Sequence, residues 1–495
     1  MAMVIAVDAG TTGVRSLAVD AAGRVTDVAY RELTQHYPRP GWVEHDAAEI
    51  WDGVRATLAE LAGRLTEAVA AIGITNQRET VVAWDRRSGR PLHRAVVWQD
   101  RRTADRCAEL REDGHLPLVR QRTGLVLDPY FSATKMEWLL GPGGVERTPD
   151  LALGTVDAWV LWNLTGGPDG GVFATDPSNA SRTMLFDIGA RRWDPELSEL
   201  FGVPTGALPQ VVPCSGRAGV TAGGVAGDLP AGVPVSGLAG DQQAALFGQA
   251  CFEPGMTKNT YGTGSFVLMN VGPEVPPPVD GLLVSVAWDL GDRGHAYALE
   301  GAIFVTGAAI QWLRDGLGII GEAADTGPLA SEVSDTEGVF FVPALAGLGS
   351  PWWDPEGRGV ITGITRGTGR AHLARAVVEA MAFQTRDVVD SMKGAAGRPV
   401  RSLRADGGAS VMDLLLQVQA DQLQVPVARS ANTETTAVGA AWLAGLAEGV
   451  WSSLDELAAL WRSDAEFTPA ITPGGADTRH AAWLRAVERS RRWAG

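Results

Sequence analysis

The sequence has few of the features that mark several common classes of protein. Only three of its 495 residues are cysteine and seven are histidine, and both types are widely scattered. An odd number of isolated cysteines is typical of a reducing cytoplasm, and neither residue type has the spacing of a zinc site. The first ten residues include an aspartate and a glycine, so we expect a strand there and neither a signal peptide nor a membrane span. We therefore expect a cytoplasmic protein without membrane insertion.

Positive charge is also scarce. The chain has 42 Lys and Arg residues against 58 Asp and Glu, a formal net charge of −16. This balance argues against a nucleic acid partner, because proteins that bind nucleic acid neutralise phosphates with clustered basic residues. Lysine is limited to Lys135, Lys258 and Lys393, and none of these completes a G-x-x-x-x-G-K-[ST] loop; the H-R-D and D-F-G motifs of protein kinases are missing as well. A phosphate site in this chain would therefore use backbone amides, hydroxyls and a metal ion.

The length and composition predict a globular enzyme of two or more domains. Single hydrophobic cores stop growing near about 250 to 300 residues, and this chain is much longer. Its 45% hydrophobic and 20% charged residues are ordinary for a soluble enzyme.

Two turns rich in glycine and threonine indicate how the chain is organised. Residues 3–31 predict an antiparallel meander whose first turn is Asp8–Gly13, and residues 256–270 predict a second strand-turn-strand around Gly262–Ser265. Each turn is either a nest of amides and hydroxyls that binds an anion, or a tight hairpin that needs glycine for a positive φ. The repetition favours two related domains that face each other across a cleft and hold the phosphates of one nucleotide.

Asp241 lies in the central segment Gly237–Gly248, where a short apolar run changes into a helical pattern. A carboxylate at such a strand-to-helix junction stands where α/β proteins open a cleft. Aspartate is also a preferred helix N-cap, and taken alone the segment favours that interpretation. The other polar motifs of the chain favour a functional carboxylate.

Arg78 and Glu79 follow one predicted buried strand, residues 71–75, and precede another, residues 81–84. Charged residues between buried strands are costly unless they are paired or bound to something polar. An internal salt bridge and a ligand that carries hydroxyls both satisfy this requirement. Tyr130 is a further candidate hydroxyl, or an ordinary core residue.

Further patterns predict the main helices. They are expected at Asp46–Leu65, Gly301–Leu313, Arg375–Met392, Leu414–Leu423 and Ala437–Leu446. A strand from Leu403 ends in the pair Gly407-Gly408, over which backbone can approach a flat ligand closely.

Taken together and in order, these motifs resemble the FGGY carbohydrate kinase family. The matching segments are Asp8–Gly13, Gly41–Asp46, Ile74–Glu79, Trp98–Arg102, Asp176–Leu185, Gly240–Phe247 and Asn259–Gly264. The likeness covers nearly the whole chain. Sugar kinases of the family share the Gly-Thr turns but differ at Arg78-Glu79, where this chain is similar to the members that act on glycerol.

The resemblance implies two α/β domains of the actin-like, ribonuclease H-like type with a nucleotide cleft between them. Residues 1–248 would form the polyol-binding side and residues 249–495 the nucleotide-binding side. The implied activity is transfer of the γ-phosphate of MgATP to a terminal hydroxyl of glycerol, which gives sn-glycerol 3-phosphate, by a homodimer or homotetramer. The alternatives are a kinase for another small polyol or triose, such as erythritol or dihydroxyacetone, and an actin-like nucleotide sensor without turnover.

The resemblance also implies roles for individual residues. Asp241 would be the general base. The glycerol hydroxyls would be bound by Arg78, Glu79, Tyr130, Asp241 and Gln242, with Trp98 and Phe266 as apolar walls. The ATP phosphates would be bound by Thr11, Thr12, Gly13, Arg15 and Thr263, and the rest of the nucleotide by Gly307, Gln311 and Gly408. Asp8 and Asp241 would hold Mg²⁺ through its water ligands.

Overall fold

The computed structural model describes residues 2–494, which form two mixed β-sheets, several small ribbons and the helices that cover them. The strands of this range are β1 Met3–Ala9, β2 Gly13–Val19, β3 Val25–Glu32, β4 Glu44–His45, β5 Val69–Asn76, β6 Val81–Asp85, β7 Ala95–Val96, β8 Leu151–Thr155, β9 Ala174–Thr175, β10 Phe186–Asp187, β11 Arg192–Trp193, β12 Gln210–Val211, β13 Ser215–Val220, β14 Pro234–Gly240, β15 Met256–Tyr261, β16 Ser265–Gly272, β17 Leu283–Asp289, β18 His295–Ile303, β19 Phe340–Val342, β20 Val360–Thr362, β21 Ser402–Asp406, β22 Val427–Ser430 and β23 Ser463–Phe467. The α-helices are α1 Ala47–Ala62, α2 Ala104–Glu112, α3 Leu116–Thr123, α4 Ser132–Leu140, α5 Val156–Leu164, α6 Pro177–Ala180, α7 Pro195–Leu200, α8 Asp241–Gly248, α9 Gly307–Gln311, α10 Thr326–Ala330, α11 Arg370–Ala396, α12 Asp413–Leu423, α13 Thr435–Ala447, α14 Leu454–Leu460 and α15 Pro473–Ser490.

The first sheet has the strand order β13-β14-β5-β1-β2-β3. Strands β1 to β3 form the predicted antiparallel meander, and β5 and β14 run parallel to β1. Strand β1 is apolar from Met3 to Val7 because both of its faces are covered. Ile5 and Val7 belong to one core, with helices α1 and α5, whereas Val4 and Ala6 belong to another core, with α13.

The second sheet repeats this arrangement in the order β17-β18-β16-β15-β21-β22-β23. Here β18, β16 and β15 form the antiparallel part, β21 and β22 continue parallel to β15, and β23 closes the edge antiparallel. The same sequence of strand directions occurs in the first sheet, with β17 as an addition. The topology therefore contains the repeat that the two Gly-Thr turns indicated.

The predicted helices agree with the structure at four of five places. Asp46 caps α1 by accepting from the N–H of Ala48, and α11, α12 and α13 extend somewhat beyond their predicted ends. The prediction of a helix over Gly301–Leu313 is wrong at its start, because residues 301–303 complete β18 and α9 covers only Gly307–Gln311. Gly301 is small because an added Cβ would overlap the side chain of Val388 in α11. No helix within the described range is long and apolar enough to cross a bilayer.

Helix α13 joins the two halves, because it comes from the second half and packs on the first sheet. Its backbone lies directly against β5 and α8. A Cβ added at Gly73 would overlap the carbonyl oxygen of Ala440, and a Cβ added at Gly439 would overlap that of Ala244. The core around α13 therefore contains residues from both sides of the predicted boundary at residue 248.

We expect Gly439→Ala to destabilise the protein by about 1–3 kcal/mol or more, because the methyl group would push α13 away from α8. Gly394→Ala is the matched control, since Gly394 also lies in a helix and a Cβ there meets no atom within 4 Å. The control should be neutral or more stable by about 0.5–1 kcal/mol. Urea unfolding of the three proteins measures the difference, and equal midpoints for both variants would contradict the packing described here.

Candidate functional site

A single cavity brings together all seven residues predicted to contact the polyol. It has an empty volume of about 270 Å³. Its walls are formed by Thr11, Gln77, Arg78, Glu79, Trp98, Tyr130, Asp241, Gln242 and Phe266. Most of these residues come from loops at the ends of strands in the first half, and Phe266 comes from β16 in the second sheet. The cavity therefore lies between the two halves.

Asp241 is the first residue of α8, and the N-cap is Gly240. The interpretation of Asp241 as the N-cap is wrong, because among residues 2–494 the one backbone N–H that donates to its carboxylate is that of the adjacent Gln242, at 2.7 Å. About one third of the side chain is exposed, and it lines the cavity. Loss of hydration raises the pKa of Asp241 to about 6, against the opposing effect of Arg78, whose Nε lies 3.2 Å from Oδ1. A carboxylate with this pKa is largely ionised at neutral pH and still basic enough to accept a proton.

Arg78 and Glu79 both line the cavity and belong to a buried ion-pair network. Glu300 on β18 accepts two hydrogen bonds from the guanidinium of Arg78, at 2.7 and 3.0 Å. Arg182 donates to Glu79 at 2.8 Å and to Glu300 at 3.2 Å. Tyr130 also takes part, because its hydroxyl accepts from Arg78 at 2.9 Å. The internal salt bridge expected for Arg78 and Glu79 is therefore present, and the binding of a ligand's hydroxyls by this pair stays a prediction.

Sequence reasoning gave no role to Arg182 or Glu300. Arg182 stands in one of the segments that carry the family resemblance, and Glu300 is the one charged residue in the apolar part of β18, residues 296–303. A lone carboxylate in a buried strand is a signal that a partner must exist. It does not say which arginine that partner is.

Lys258 is a third residue that sequence reasoning missed. It is fully buried on β15 and donates to the Oε1 atom of Gln242 and, at 2.9 Å, to the hydroxyl of Thr260. Burial lowers the pKa of Lys258 to about 8, so the ammonium form still predominates at neutral pH. The scarcity of lysine, with three in the whole sequence, was the feature that could have drawn attention to it.

Both Gly-Thr turns are closed by a hydrogen bond between two glycines, although the first turn is one residue longer. The N–H of Gly10 donates to the carbonyl of Gly13 at 3.0 Å, and the N–H of Gly262 donates to the carbonyl of Gly264 at 2.8 Å. The suggested need for a positive φ is wrong, since none of these four glycines has one. For two of them, close packing by neighbouring atoms explains why the residue is glycine. A Cβ on Gly13 would overlap the ring of Tyr30, and a Cβ on Gly264 would overlap a backbone oxygen of β18.

The first turn is linked to the cavity. The indole N–H of Trp98 donates to the hydroxyl of Thr11 at 2.9 Å, and Thr11 itself lines the cavity. Thr12 is exposed next to it. A group held by this turn would therefore lie beside the contents of the cavity.

The remaining predicted nucleotide residues come together at the ends of β15, β18 and β21, outside the cavity. The carbonyl of Thr263 accepts from Thr306 and Ala308 at the start of α9, so Gly307 lies against the second turn and Gln311 is exposed at the other end of that helix. Gly407 has φ +85° and packs on the backbone of Tyr261, which leaves Gly408 facing open space.

Asp8 and Arg15, on neighbouring strands, form an ion pair of 2.6 Å. Arg15 also binds Glu434 at the start of α13, at 2.7 Å, so this predicted phosphate ligand has two carboxylate partners. Asp8 is buried, which raises its pKa, and its charge in turn raises the pKa of Asp241. The two carboxylates therefore lie close enough to interact electrostatically. Within residues 2–494 no three His, Cys, Asp or Glu side chains cluster as a metal site, so a cation here would keep water or phosphate oxygens among its ligands.

Comparison with known proteins identifies the family. Models of the N-terminal and C-terminal domains of the FGGY family of carbohydrate kinases match residues 3–248 and 257–448. The chain belongs to the FGGY family of carbohydrate kinases. The family resemblance and the two actin-like α/β domains expected from the sequence are thereby confirmed. As a member of this family the protein is a phosphotransferase with an alcohol acceptor.

Relatives within the family are similar over their full lengths. The glycerol kinase of Bordetella parapertussis is 52% identical, covering 99% of this chain and 97% of its own, and glycerol kinase 2 of Thermotoga maritima is 51% identical, covering 100% and 99%. The crystal structure of Plasmodium falciparum glycerol kinase with ADP has a TM-score of 0.94 at 33% identity, covering 99% of this chain and 98% of that chain. A ligand-bound xylulose kinase of Lactobacillus acidophilus, with TM-score 0.89 at 20% identity and coverage of 99% and 98%, shows the fold alone.

In this FGGY kinase a short helix supports the start of α8. Asp176 caps α6 by accepting from the N–H of Ser178 at 2.7 Å, and the hydroxyl of Ser178 accepts from the N–H of Gly240 at 2.9 Å. Asn179 and Asn76 exchange two amide hydrogen bonds of 3.0 Å beside it. These buried contacts determine where the residue after Gly240, Asp241, enters the cavity.

Ser178→Ala removes the hydroxyl that accepts from Gly240, and we expect a loss of stability of about 1–3 kcal/mol because that buried N–H loses its partner. Ser391→Ala is the control. The hydroxyl of Ser391 only donates back to a carbonyl of its own helix, α11, so its removal should change stability by less than about 0.5 kcal/mol. Urea unfolding distinguishes the two, and a Ser178→Ala protein as stable as the control would argue against this support.

Proposed function

We propose that this FGGY kinase is a glycerol kinase, which transfers the γ-phosphate of MgATP to a terminal hydroxyl of glycerol and forms sn-glycerol 3-phosphate. The observation that carries the proposal is the cavity. It combines seven hydrogen-bonding side chains with two aromatic walls, Trp98 and Phe266. A three-carbon chain with a hydroxyl on each carbon needs both kinds of surface. The relatives named glycerol kinase, at 51–52% identity over the full length, support the same conclusion.

In the proposed reaction, Asp241 accepts the proton of the terminal hydroxyl as its oxygen bonds to the γ-phosphorus. The bond between that phosphorus and the oxygen bridging to the β-phosphate breaks, and ADP leaves. Phosphoryl transfer depends on alignment and charge neutralisation more than on a covalent intermediate. Arg78, Glu79, Tyr130 and Gln242 supply the alignment by holding the hydroxyls.

We assign the phosphates of ATP to the two Gly-Thr turns, with Thr11, Thr12, Gly13 and Arg15 on one side and Thr263 on the other. Gly307, Gln311 and Gly408 would contact the rest of the nucleotide. Residues 1–248 would thus form the polyol side and residues 249–495 the nucleotide side. Asp8 and Asp241 would hold Mg²⁺ through its waters, and the ion would neutralise phosphate charge in a protein with very few lysines.

The proposal extends to location and assembly. The three cysteines are buried and unpaired with one another, which supports a reducing cytoplasm. We further propose a homodimer or homotetramer, and light scattering of the purified protein would determine which.

We expect Asp241→Asn to bind glycerol and MgATP but to lose about 10²- to 10⁴-fold in kcat, because the amide cannot accept the proton. Steady-state ADP release measures kcat, and calorimetry with each ligand tests binding. Near-normal turnover in this variant would remove Asp241 as the base.

A panel of acceptors tests the substrate. We expect ADP release only when ATP and an acceptor are both present, and the highest kcat/KM for glycerol among glycerol, erythritol and dihydroxyacetone. A higher kcat/KM for erythritol or dihydroxyacetone would make that compound the proposed acceptor instead of glycerol. Binding of ATP without ADP release in the presence of any acceptor would favour a nucleotide sensor instead.

A further inference from the structure

We propose that two buried charged residues of the second sheet, Glu300 and Lys258, are positioning residues for the polyol, because they orient Arg78 and Gln242 of the first half. The sheet assigned to the nucleotide would then also determine which acceptor is recognised. This inference presupposes the glycerol kinase activity proposed above, and the experiment below separates the two.

Glu300 controls the orientation of Arg78. Its two carboxylate oxygens accept from the two terminal nitrogens of the guanidinium, at 2.7 and 3.0 Å, and both side chains are at least 98% buried. Such a two-pronged pair permits only one orientation of the planar guanidinium. Of the donors that remain, Nε lies 3.2 Å from Asp241 and Nη2 donates to the hydroxyl of Tyr130 at 2.9 Å, and both of these partners line the cavity. The third, on Nη1, donates to Gln243 at 3.4 Å.

Arg182 extends this control to Glu79. It donates to Oε1 of Glu79 and to Oε1 of Glu300, so it ties the two carboxylates together. Oε2 of Glu79 has no hydrogen bond to any residue between positions 2 and 494, and Glu79 lines the cavity. That oxygen is therefore the acceptor that remains for a ligand hydroxyl.

Lys258 controls the orientation of Gln242. An ammonium group can only donate, so the amide atom that faces Lys258 must be the oxygen of Gln242. The amide nitrogen of Gln242 is then left for the cavity, where it can donate to a hydroxyl oxygen. Without the ammonium, either end of the amide could face the ligand.

Charges of both signs meet in this cluster. Arg78, Arg182 and Lys258 carry three positive charges, and Glu79, Glu300 and Asp241 carry three negative charges when Asp241 is ionised. Because these groups are buried or nearly so, losing one leaves its partners uncompensated and free to reorient. The orientation of the hydrogen-bonding groups that face the polyol therefore depends on all of these charged side chains.

This arrangement has a consequence for acceptor selection. A site whose buried donors and acceptors are held in place rejects an analogue that lacks one hydroxyl, because a protein group is then left unpaired. If the groups can reorient, that penalty decreases. Loss of Glu300 or Lys258 should therefore affect acceptor binding and discrimination more than ATP binding.

The test compares Glu300→Gln and Lys258→Met with wild type. Both substitutions remove a charge and keep the approximate length of the side chain. Glu379→Gln is the matched control, because Glu379 is also a buried glutamate of the second half between two arginines, Arg375 at 3.0 Å and Arg479 at 2.7 Å, and lies outside the cavity. The measurements are KM for glycerol, KM for ATP, kcat, and the ratio of kcat/KM for glycerol to that for propane-1,2-diol and propane-1,3-diol, which each lack one hydroxyl.

We expect both variants to raise KM for glycerol by about tenfold to a hundredfold, the range for a lost hydrogen bond to a charged group. The preference for glycerol over the diols should fall by about tenfold, whereas KM for ATP should stay within about twofold of wild type. The control should keep all three values. Changes in the two variants no larger than those in Glu379→Gln, or an equal rise in both KM values, would overturn the positioning role.

Two further results are informative. If Glu300→Gln does not fold, Glu300→Asp keeps the charge on a shorter side chain and should show the same selective rise in KM for glycerol; a wild-type KM in that variant would count against the proposal. If wild type itself releases no ADP in response to glycerol, the proposed function fails and the positioning role fails with it.

Discussion

The structure depends on the pairing of one buried arginine with a carboxylate from the opposite half of the chain. Arg78 follows β5 in the first sheet, and a guanidinium in that position costs several kcal/mol unless its donors are satisfied. Glu300, on β18 of the second sheet, satisfies two of them. The two sheets must therefore keep a defined relative position at this point, which is also the edge of the cavity.

Close backbone packing of α13 also keeps the two halves in a defined relative position. Helix α13 approaches β5 and α8 so closely that Gly73 and Gly439 admit no side chain. Because α8 begins at Asp241, the packing of α13 on α8 and the contact from Ser178 to Gly240 together determine where that carboxylate enters the cavity. The residue proposed as the base is thus positioned by elements from both halves.

Local signals in the sequence predicted most of the elements near the site. The hairpins could be predicted from the apolar runs and the turn residues between them, and α1 from its capping residue Asp46. The helix predicted from Gly301 failed because small residues there allow α11 to approach the sheet and are not a helical pattern. The pairing of Arg78 with Glu300 joins residues 222 positions apart, and nothing in a single sequence specifies such a partner. The polyol-binding set came from the family resemblance, and its collection around one cavity is a property of the fold.

The distribution of positive charge explains how an acidic protein can hold several carboxylates close together in one site. Arg78 and Arg182 are buried and paired with carboxylates, Lys258 is buried against the amide of Gln242 and the hydroxyl of Thr260, and Arg15 is held between Asp8 and Glu434. These cations neutralise the protein's own acidic groups, so little of their charge remains for a triphosphate. In the proposed arrangement, backbone amides of the two turns and a divalent ion would supply the attraction for phosphate. Since a metal ion and amides act at short range, such a site favours a correctly placed nucleotide over anions in general. That preference suits a cleft in which one carboxylate must stay free to accept a proton.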